Sequence, residues 1–148
     1  MTEIEKADFE NKKRYLKRYK KNRYCVLRLE KKLKFLDEKI TGLQSSKFSY
    51  TPRGGEPITS ADLIADKMDL EKRIQKLKVK SERLKSEILE IIDDLDNAIF
   101  CEVLEAFFVD CKTIEEIADD QGYTTRHVYR LYYKAVSSVN INQQNREL

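Results

Sequence analysis

Apolar residues recur every seven positions along the first forty residues, and this pattern predicts one long amphipathic helix. One row is Tyr19, Val26, Leu33 and Ile40, and the complementary row is Tyr15, Leu29, Leu36 and Leu43, interrupted by polar Asn22. Rows with this spacing form a heptad seam. Thr2 and Glu5 have the spacing of a capping box, and Thr41-Gly42 is a typical helix stop. The predicted helix therefore covers residues 2–41.

A second heptad seam begins near Ser60 and is more regular than the first. Its rows are Leu63, Leu70, Leu77, Leu84 and Ile91, and Ile74, Ile88 and Leu95, interrupted only by Lys67 and Ser81. Thr59 and Asp62 are spaced for capping. The second predicted helix therefore covers residues 60–95.

The segment 42–59 between the two seams holds both prolines and three of the four glycines, so it is predicted to be a loop. Its Gly54-Gly55 pair is not a phosphate-binding loop, because no GxxxxGK[ST] pattern surrounds it. Two long helices joined by one loop most simply form an antiparallel, coiled-coil-like hairpin over residues 1–96, although the same seams could pair between chains. Since two helices bury little apolar area for their length, we expect dimerisation or another partner.

Residues 97–140 have a different pattern, with short amphipathic segments rich in aromatic residues. A helix from about Ala98 to Val109 would place apolar side chains on one face, namely Phe100, Val103, Leu104 and Phe107. Thr113 and Glu116 form another capping box, which opens a short helix with Ile114, Ile117 and Ala118 facing inward. The final residues, 141–148, are predicted to be a tail.

The spacing of Ala118, Gly122 and Val128 predicts a helix-turn-helix. Two helices that cross through a tight turn need a small residue at the crossing and a residue tolerant of positive φ in the turn. Thr124 is a suitable N-cap for the second helix, and Val128, Leu131 and Ala135 would close the core. A helical hairpin that binds no nucleic acid is the alternative interpretation.

If Val128 and its neighbours face the core, the other side of the second helix is available to bind DNA. The predicted DNA-binding residues are Thr124, Thr125, Arg126, His127, Tyr129, Arg130, Tyr133 and Lys134. Arginine can bond guanine bidentately, threonine can meet a base edge or a thymine methyl, and tyrosine hydroxyls reach phosphates. The helix N-terminus also favours phosphate through its free N–H groups.

Basic charge is concentrated at the start of the chain. Residues 1–59 hold 16 Lys and Arg against 8 Asp and Glu, whereas residues 97–148 hold 5 against 8. Within the run KKRYLKRYKKNR, the candidate contacts to DNA phosphates or to an acidic polymerase surface are Lys12, Lys13, Arg14, Lys17, Arg18, Lys20, Lys21 and Arg23. A solvated helix face is an equally good interpretation of this run.

Several functional classes find no support in the sequence. The single histidine, His127, has no neighbouring acid or nucleophile with which to form a catalytic set, so we expect no enzyme activity, metal site or cofactor. The three cysteines lack CxxC spacing and are expected to be reduced thiols. No apolar run reaches the roughly 18 residues that a membrane span needs, and the N-terminus lacks an apolar signal core. A cytoplasmic protein is expected.

The run VLEAFFVDCKTIEEIADDQGYTTRHVYRLYYKAV resembles promoter-reading region four of sigma-70 factors. The whole chain resembles small phage-encoded, sigma-like late-gene regulators of the RinA/ArpU type, which have a long helical N-terminal half, a loop similar to TPRGGEP and a C-terminal helix-turn-helix. The resemblance covers most of residues 15–138 and implies control of phage gene expression in a bacterial host cell. It also implies base contacts by Thr125, Arg126, Tyr129 and Arg130. Because Thr125 and Tyr129 stand where sigma factors commonly have arginine, a different target sequence or a weaker affinity is implied.

Together these features predict an all-α protein that regulates transcription by binding a specific sequence of double-stranded DNA. We expect it to act as a homodimer at a promoter and to contact host RNA polymerase. Two alternatives remain open at this point. One is a DNA-packaging subunit like a small terminase, although that family usually places its DNA-binding module first. The other is a helical adaptor that binds protein rather than DNA.

Overall fold

The structure, a computed structural model, describes residues 2–45 and 59–141, and within those ranges it is all-helical, with no strand. The helices are α1 (Glu3–Leu16), α2 (Arg18–Ser45), α3 (Ser60–Asp93), α4 (Ala98–Leu104), a π-helical turn (Glu105–Val109), α5 (Ile114–Gln121) and α6 (Thr125–Ser138). The predicted all-α class is confirmed. Most of the predicted loop, including Gly54-Gly55, and residues 142–148 of the predicted tail lie outside the described ranges. Across the described helices, none combines the length and apolar character needed to cross a membrane.

The single helix predicted over residues 2–41 is wrong, because the structure divides this stretch into α1 and α2 at Lys17. The backbone N–H of Lys17 donates to the carbonyls of both Lys13 and Tyr15. The Nε of Arg18 donates to the same Tyr15 carbonyl at 3.0 Å. A side-chain donor that enters the backbone ladder is a common cause of a helix break. The heptad pattern could not reveal this bond, since it records only which positions are apolar.

The predicted stop at Thr41-Gly42 is also wrong, since α2 continues to Ser45. Among the described glycines only Gly122 has a positive φ, so Gly42 keeps the backbone of a helical residue rather than that of a C-cap. A glycine inside a helix costs about 1 kcal/mol relative to alanine. That cost is small enough for the surrounding helix to continue through it.

The segment predicted as one helix from Ala98 to Val109 begins as an α-helix and ends in the π-helical turn. Asn97 caps its start, with the side-chain oxygen accepting from the N–H groups of Ile99 and Phe100. In the wide final turn the N–H of Asp110 donates to the carbonyl of Glu105, five residues earlier. This widening rotates the chain less per residue than an α-helix does. It is accompanied by burial of both Phe108 and Val109 in the core.

The chain divides into two compact units. Unit 1 comprises residues 1–22 and 81–148, and unit 2 comprises Arg23–Lys80. In unit 1, α6 packs against α4, α5 and α1. The most deeply buried side chains of unit 1 are those of Leu16, Ile88, Ile92, Val103, Leu104, Phe108, Ile117, Val128, Ala135, Val136 and Val139. Unit 1 therefore has a contiguous core to which both ends of the sequence contribute.

Unit 2 has a much smaller core, in which Val26 and Leu29 of α2 contact Ile74 of α3. Half-buried Leu33, Leu70 and Leu77 pack around them. Two ion pairs bridge the helices: Lys78 with Glu30 at 3.1 Å, and Lys67 with Asp37 at 2.7 Å. As residue numbers rise along α2, the numbers of the partners on α3 fall.

The polar residues that interrupt the two heptad seams have partners on the opposite helix. Asn22 and Ser81 are both buried in unit 1, and the Asn22 side-chain amide donates to the Ser81 hydroxyl. Lys67, in unit 2, forms the ion pair with Asp37. A buried polar pair disfavours shifted registers, since a shift would leave each group without its partner in an apolar seam.

Candidate nucleic-acid interface

The turn between α5 and α6 has the local chemistry that the sequence predicted. The Thr113 hydroxyl accepts from the Glu116 N–H at 3.1 Å and so begins α5. Gly122 ends it in the left-handed conformation, with φ of 70°. The Tyr123 N–H then donates to the Ala118 carbonyl at 2.9 Å. These bonds satisfy backbone groups at the end of α5 and fix where α6 starts.

The start of α6 is capped by Thr124, whose hydroxyl accepts from the His127 N–H at 3.2 Å. One face of α6 is buried in the core of unit 1, through Val128, Tyr132, Ala135 and Val136. Val128, Leu131 and Ala135 were predicted at core positions; Val128 and Ala135 are fully buried, whereas Leu131 is half-buried against the core. Because this face is fixed by packing, the opposite face of α6 has a defined orientation.

All eight predicted DNA-binding residues are exposed, in the turn and along α6. Arg126, Arg130 and Lys134 are spaced four residues apart, and α6 contains no acidic residue. Within residues 2–45 and 59–141, neither Arg126 nor Arg130 forms an ion pair with a carboxylate. The guanidinium groups are therefore not neutralised by described parts of this chain. This surface (residues 124–127, 129, 130, 133 and 134) is called the α6 face below.

Tyr133 is a member of the α6 face that also contacts another helix of unit 1. Its ring stacks on that of Phe9 with centroids 4.3 Å apart and an interplanar angle of 5°, and the residue is 43% exposed. At the turn, the rings of His127 and Tyr123 meet edge to face at 4.8 Å. These contacts restrict Tyr133 and His127, whereas the arginines can reorient toward a ligand.

The adjacent Tyr132 is a core residue. Burial, and secondarily the Glu10 carboxylate, raises the pKa of its phenol to about 12. Its ring lies within 5.0 Å of the Phe107 ring and 5.9 Å of the Phe108 ring, measured between centroids. Tyr132 therefore links α6 to the π-helical turn.

The basic N-terminal run does not behave as one surface. The Lys12 Nζ donates to the Ser137 carbonyl near the end of α6 at 2.8 Å, and also pairs with Asp8 at 3.1 Å. The Arg18 guanidinium pairs with Glu87 at 3.0 Å. The Lys20 ammonium lies 4.0 Å from the centroid of the Phe107 ring. Lys12, Arg18 and Lys20 therefore stabilise unit 1.

The remaining basic residues of the run are better placed to bind a partner. Arg14 and Lys21 are exposed and Lys13 is half-buried, as is Lys17. Partial burial, followed by the nearby ammonium group of Lys13, lowers the pKa of Lys17. The last residue of the run, Arg23, is exposed and belongs to unit 2.

The contact of α1 with α6 is the feature of this site that the sequence analysis missed. Phe9 is buried against Tyr132 and Tyr133, although it belongs to neither heptad row. Its isolation among polar residues of α1 was the available signal, since a large apolar residue in such a segment needs a partner surface. The basic run of residues 12–23 was predicted as a contact surface for a partner, but α1 also packs against α6 and supports it.

No protein-family model, curated protein or solved structure matches this chain. The three cysteines are free thiols, and the described residues contain no cluster of three side chains able to hold a metal ion.

Proposed function

We propose that this protein is a sequence-specific regulator of transcription that binds double-stranded DNA through a helix-turn-helix formed by α5 and α6. The observation that carries the proposal is the α6 face, which is basic, exposed and free of acidic residues, on a helix whose other side is fixed in the core. A recognition helix needs both properties, because base readout requires side chains to reach the groove from a rigid support.

The spacing of the two arginines suits the major groove. Residues four apart on a helix are separated by about 6 Å along its axis, close to two base-pair steps of about 3.4 Å. Arg126 and Arg130 would bond guanine edges, and Thr125 would meet a neighbouring base or a thymine methyl. At the start of α6, the first N–H groups would bind a phosphate.

The proposal also includes the arrangement of the long helices, the oligomeric state and a second partner. α2 and α3 would form an antiparallel helical hairpin, and the protein would act as a homodimer, since helix-turn-helix proteins commonly bind two half-sites. The resemblance to phage sigma-like regulators supports a role in phage gene expression with host RNA polymerase as a second partner. Lys13, Arg14, Lys17 and Lys21 are the basic residues left to contact phosphate or polymerase, because Lys12, Arg18 and Lys20 have partners within unit 1.

The test compares arginines inside and outside the α6 face. Arg126→Ala and Arg130→Ala should each weaken binding to the specific site by about 1–3 kcal/mol and relax discrimination at one or two base pairs. Arg14→Ala is the matched control, since it removes the same charged group from an exposed position on α1. If it touches DNA at all, it should weaken every sequence alike and lower the salt slope by about one unit.

Binding would be measured by fluorescence anisotropy on the specific site and on scrambled duplexes, over a range of salt concentrations. Equal effects of all three substitutions would contradict a reading role for α6. The specific site itself would be found by footprinting on DNA from the phage or prophage region that carries the gene. Protection of a promoter supports the proposal, whereas protection of a packaging site alone, or no protection, contradicts it.

A further inference from the structure

The apolar seam between α2 and α3 in unit 2 is covered by ion pairs on one side and is open to solvent on the other. Glu30 and Asp37, which form the ion pairs with α3, are seven residues apart and so lie on the same side of α2. About 140° around α2 from Glu30 is Phe35, and among the residues that the structure describes no ion pair joins α2 to α3 on that side. An open groove of about 400 Å³ lies there between α2 and α3, and Phe35 forms part of its wall.

The groove combines an apolar floor with charged walls. Half-buried Leu36 and Leu70 form the floor, and the Phe35 ring stands in the wall with 59% of the residue exposed. A phenylalanine so exposed on a helix costs solvation free energy that a partner surface would recover. The buried core of unit 2 is small. Burying the apolar floor of the groove would therefore add substantially to the stability of the α2–α3 pair.

Charge is distributed unequally between the two walls. The α2 wall carries Lys32 and Lys39, whereas the α3 wall carries Asp66 and Asp69, followed by Arg73. The Lys39 ammonium lies 4.8 Å from the centroid of the Phe35 ring, so the basic and the aromatic side chain lie in the same part of the groove. A surface with a basic wall and an acidic wall on either side of an apolar strip can be complementary to itself.

We infer that this groove binds the same groove of a second copy of the chain. A two-fold axis parallel to the helices would place α2 of each copy over α3 of the other. Lys39 would then face the Asp66 and Asp69 carboxylates of the opposite copy, and each Phe35 ring would enter the opposite groove. The product is a four-helix bundle, in which the apolar floor of each pair is covered. The inference extends the dimer part of the proposed function, while DNA reading by α6 does not depend on it.

The first test uses Phe35→Asp, with Leu27→Asp as the matched control. Leu27 is an exposed apolar residue on the same helix, but it does not line the groove. Analytical ultracentrifugation of the full chain at tens of micromolar should show a dimer for the wild type and for Leu27→Asp, and mainly monomer for Phe35→Asp. The dimer Kd of Phe35→Asp should rise at least about tenfold, as expected for loss of an anchoring aromatic. Far-ultraviolet circular dichroism checks that all three proteins stay helical.

The second test asks whether the charged walls meet between copies. Lys39→Glu should dimerise weakly alone, and so should the double variant Asp66→Lys with Asp69→Lys. An equimolar mixture of the two should form a heterodimer with restored affinity, because each contact then joins opposite charges. If the two walls instead paired within one chain, mixing the two variants would not raise the affinity of the dimer.

A monomeric wild type, equal loss of dimer in Phe35→Asp and Leu27→Asp, or no gain in the mixed sample would each overturn the groove assignment. The same samples, tested for DNA binding, separate this failure from that of the proposed function. A monomer that reads DNA specifically overturns only the groove, and a groove-mediated dimer that protects no DNA overturns only the DNA-binding proposal.

Discussion

The buried pair of Asn22 and Ser81 shows how single residues control the register of the long helices. Asn22 is the polar break in the first heptad seam and Ser81 is one of the two in the second, and each buries its side chain against the other. The net stability of one such hydrogen bond is small, but leaving one partner unsatisfied in the seam costs considerably more. The pair therefore penalises misalignment more strongly than it stabilises the correct alignment.

This asymmetry gives a prediction for urea unfolding. Asn22→Ala should lower the free energy of unfolding by about 1–3 kcal/mol, since it leaves the Ser81 hydroxyl in an apolar seam. Combining Asn22→Leu with Ser81→Ala removes both polar groups and should recover most of that loss. If the free energy of unfolding of the double variant instead falls by more than that of Asn22→Ala, the pair stabilises the correct alignment strongly as well as setting the register.

Tyr132 gives a second prediction at the residue scale. Its folded-state pKa of about 12 is higher than the ordinary value of 10.0, so the folded protein holds this proton more tightly than the unfolded chain does. Its contribution to stability is complete below pH 10 and is lost as the pH rises toward 12. Ultraviolet titration of phenolate absorbance should show late-ionising tyrosine, and Tyr132→Phe should reduce its amplitude. Some late ionisation should remain in Tyr132→Phe, because burial also raises the pKa of Tyr15. An unchanged late phase in Tyr132→Phe would mean that Tyr132 does not contribute to it.

At the scale of elements, the two described glycines have opposite roles. Gly122 ends α5 with φ of 70°, whereas Gly42 lies within α2, and a methyl group at either position would meet nothing within 4 Å. The backbone conformation alone should therefore decide the effect of a substitution. Gly122→Ala should destabilise the protein by about 1–2 kcal/mol, because alanine is strained in the left-handed region.

Gly42→Ala is the matched control and should have the opposite sign, raising stability by up to about 1 kcal/mol through helix propensity. Both variants would be compared with wild type by thermal unfolding followed by circular dichroism. Destabilisation by both changes would mean that α2 is not helical at Gly42. A neutral Gly122→Ala would mean that the turn before α6 does not need its left-handed residue.

The elements differ in how well the sequence predicted them. The capping threonines were predicted from the sequence, because a cap is a local interaction between near neighbours. Thr2 forms both bonds of its predicted capping box, and Thr124 accepts from the His127 N–H as an N-cap should. Of the box predicted at Thr113, the described bonds include only the one from the Glu116 N–H. The break at Lys17 and the packing of Phe9 on α6 were not predicted. Both depend on contacts of individual side chains, one of them with the far end of the chain, and periodicity carries no information about such contacts.

At the scale of the whole molecule, the two units have cores of very different size. α3 crosses from one to the other, with Leu84, Ile88 and Ile92 in the unit 1 core and Ile74 in the unit 2 core. Local stability follows the number of buried apolar contacts. The amides of α3 should therefore be protected from hydrogen exchange more strongly in unit 1 than in unit 2.

Amide hydrogen exchange tests this expectation. At low protein concentration, residues 63–77 should exchange at least tenfold faster than residues 84–92, because fewer buried side chains hold them in place. Raising the concentration should slow exchange in 63–77 alone if the groove of unit 2 binds a second copy. Uniform protection along α3 at low concentration would show that the larger core stabilises the whole helix.

The bond from Lys12 to the Ser137 carbonyl also has a consequence for biosynthesis. Its two ends are 125 residues apart in the chain. A ribosome adds about 5–20 residues per second, so α1 emerges roughly 6–25 s before the helix on which it packs. During that interval the Phe9 ring has no native partner, and the nascent chain exposes it to solvent and to chaperones. Unit 1 completes its core only when translation reaches α6, so a ribosome that stalls earlier leaves a chain that cannot finish folding.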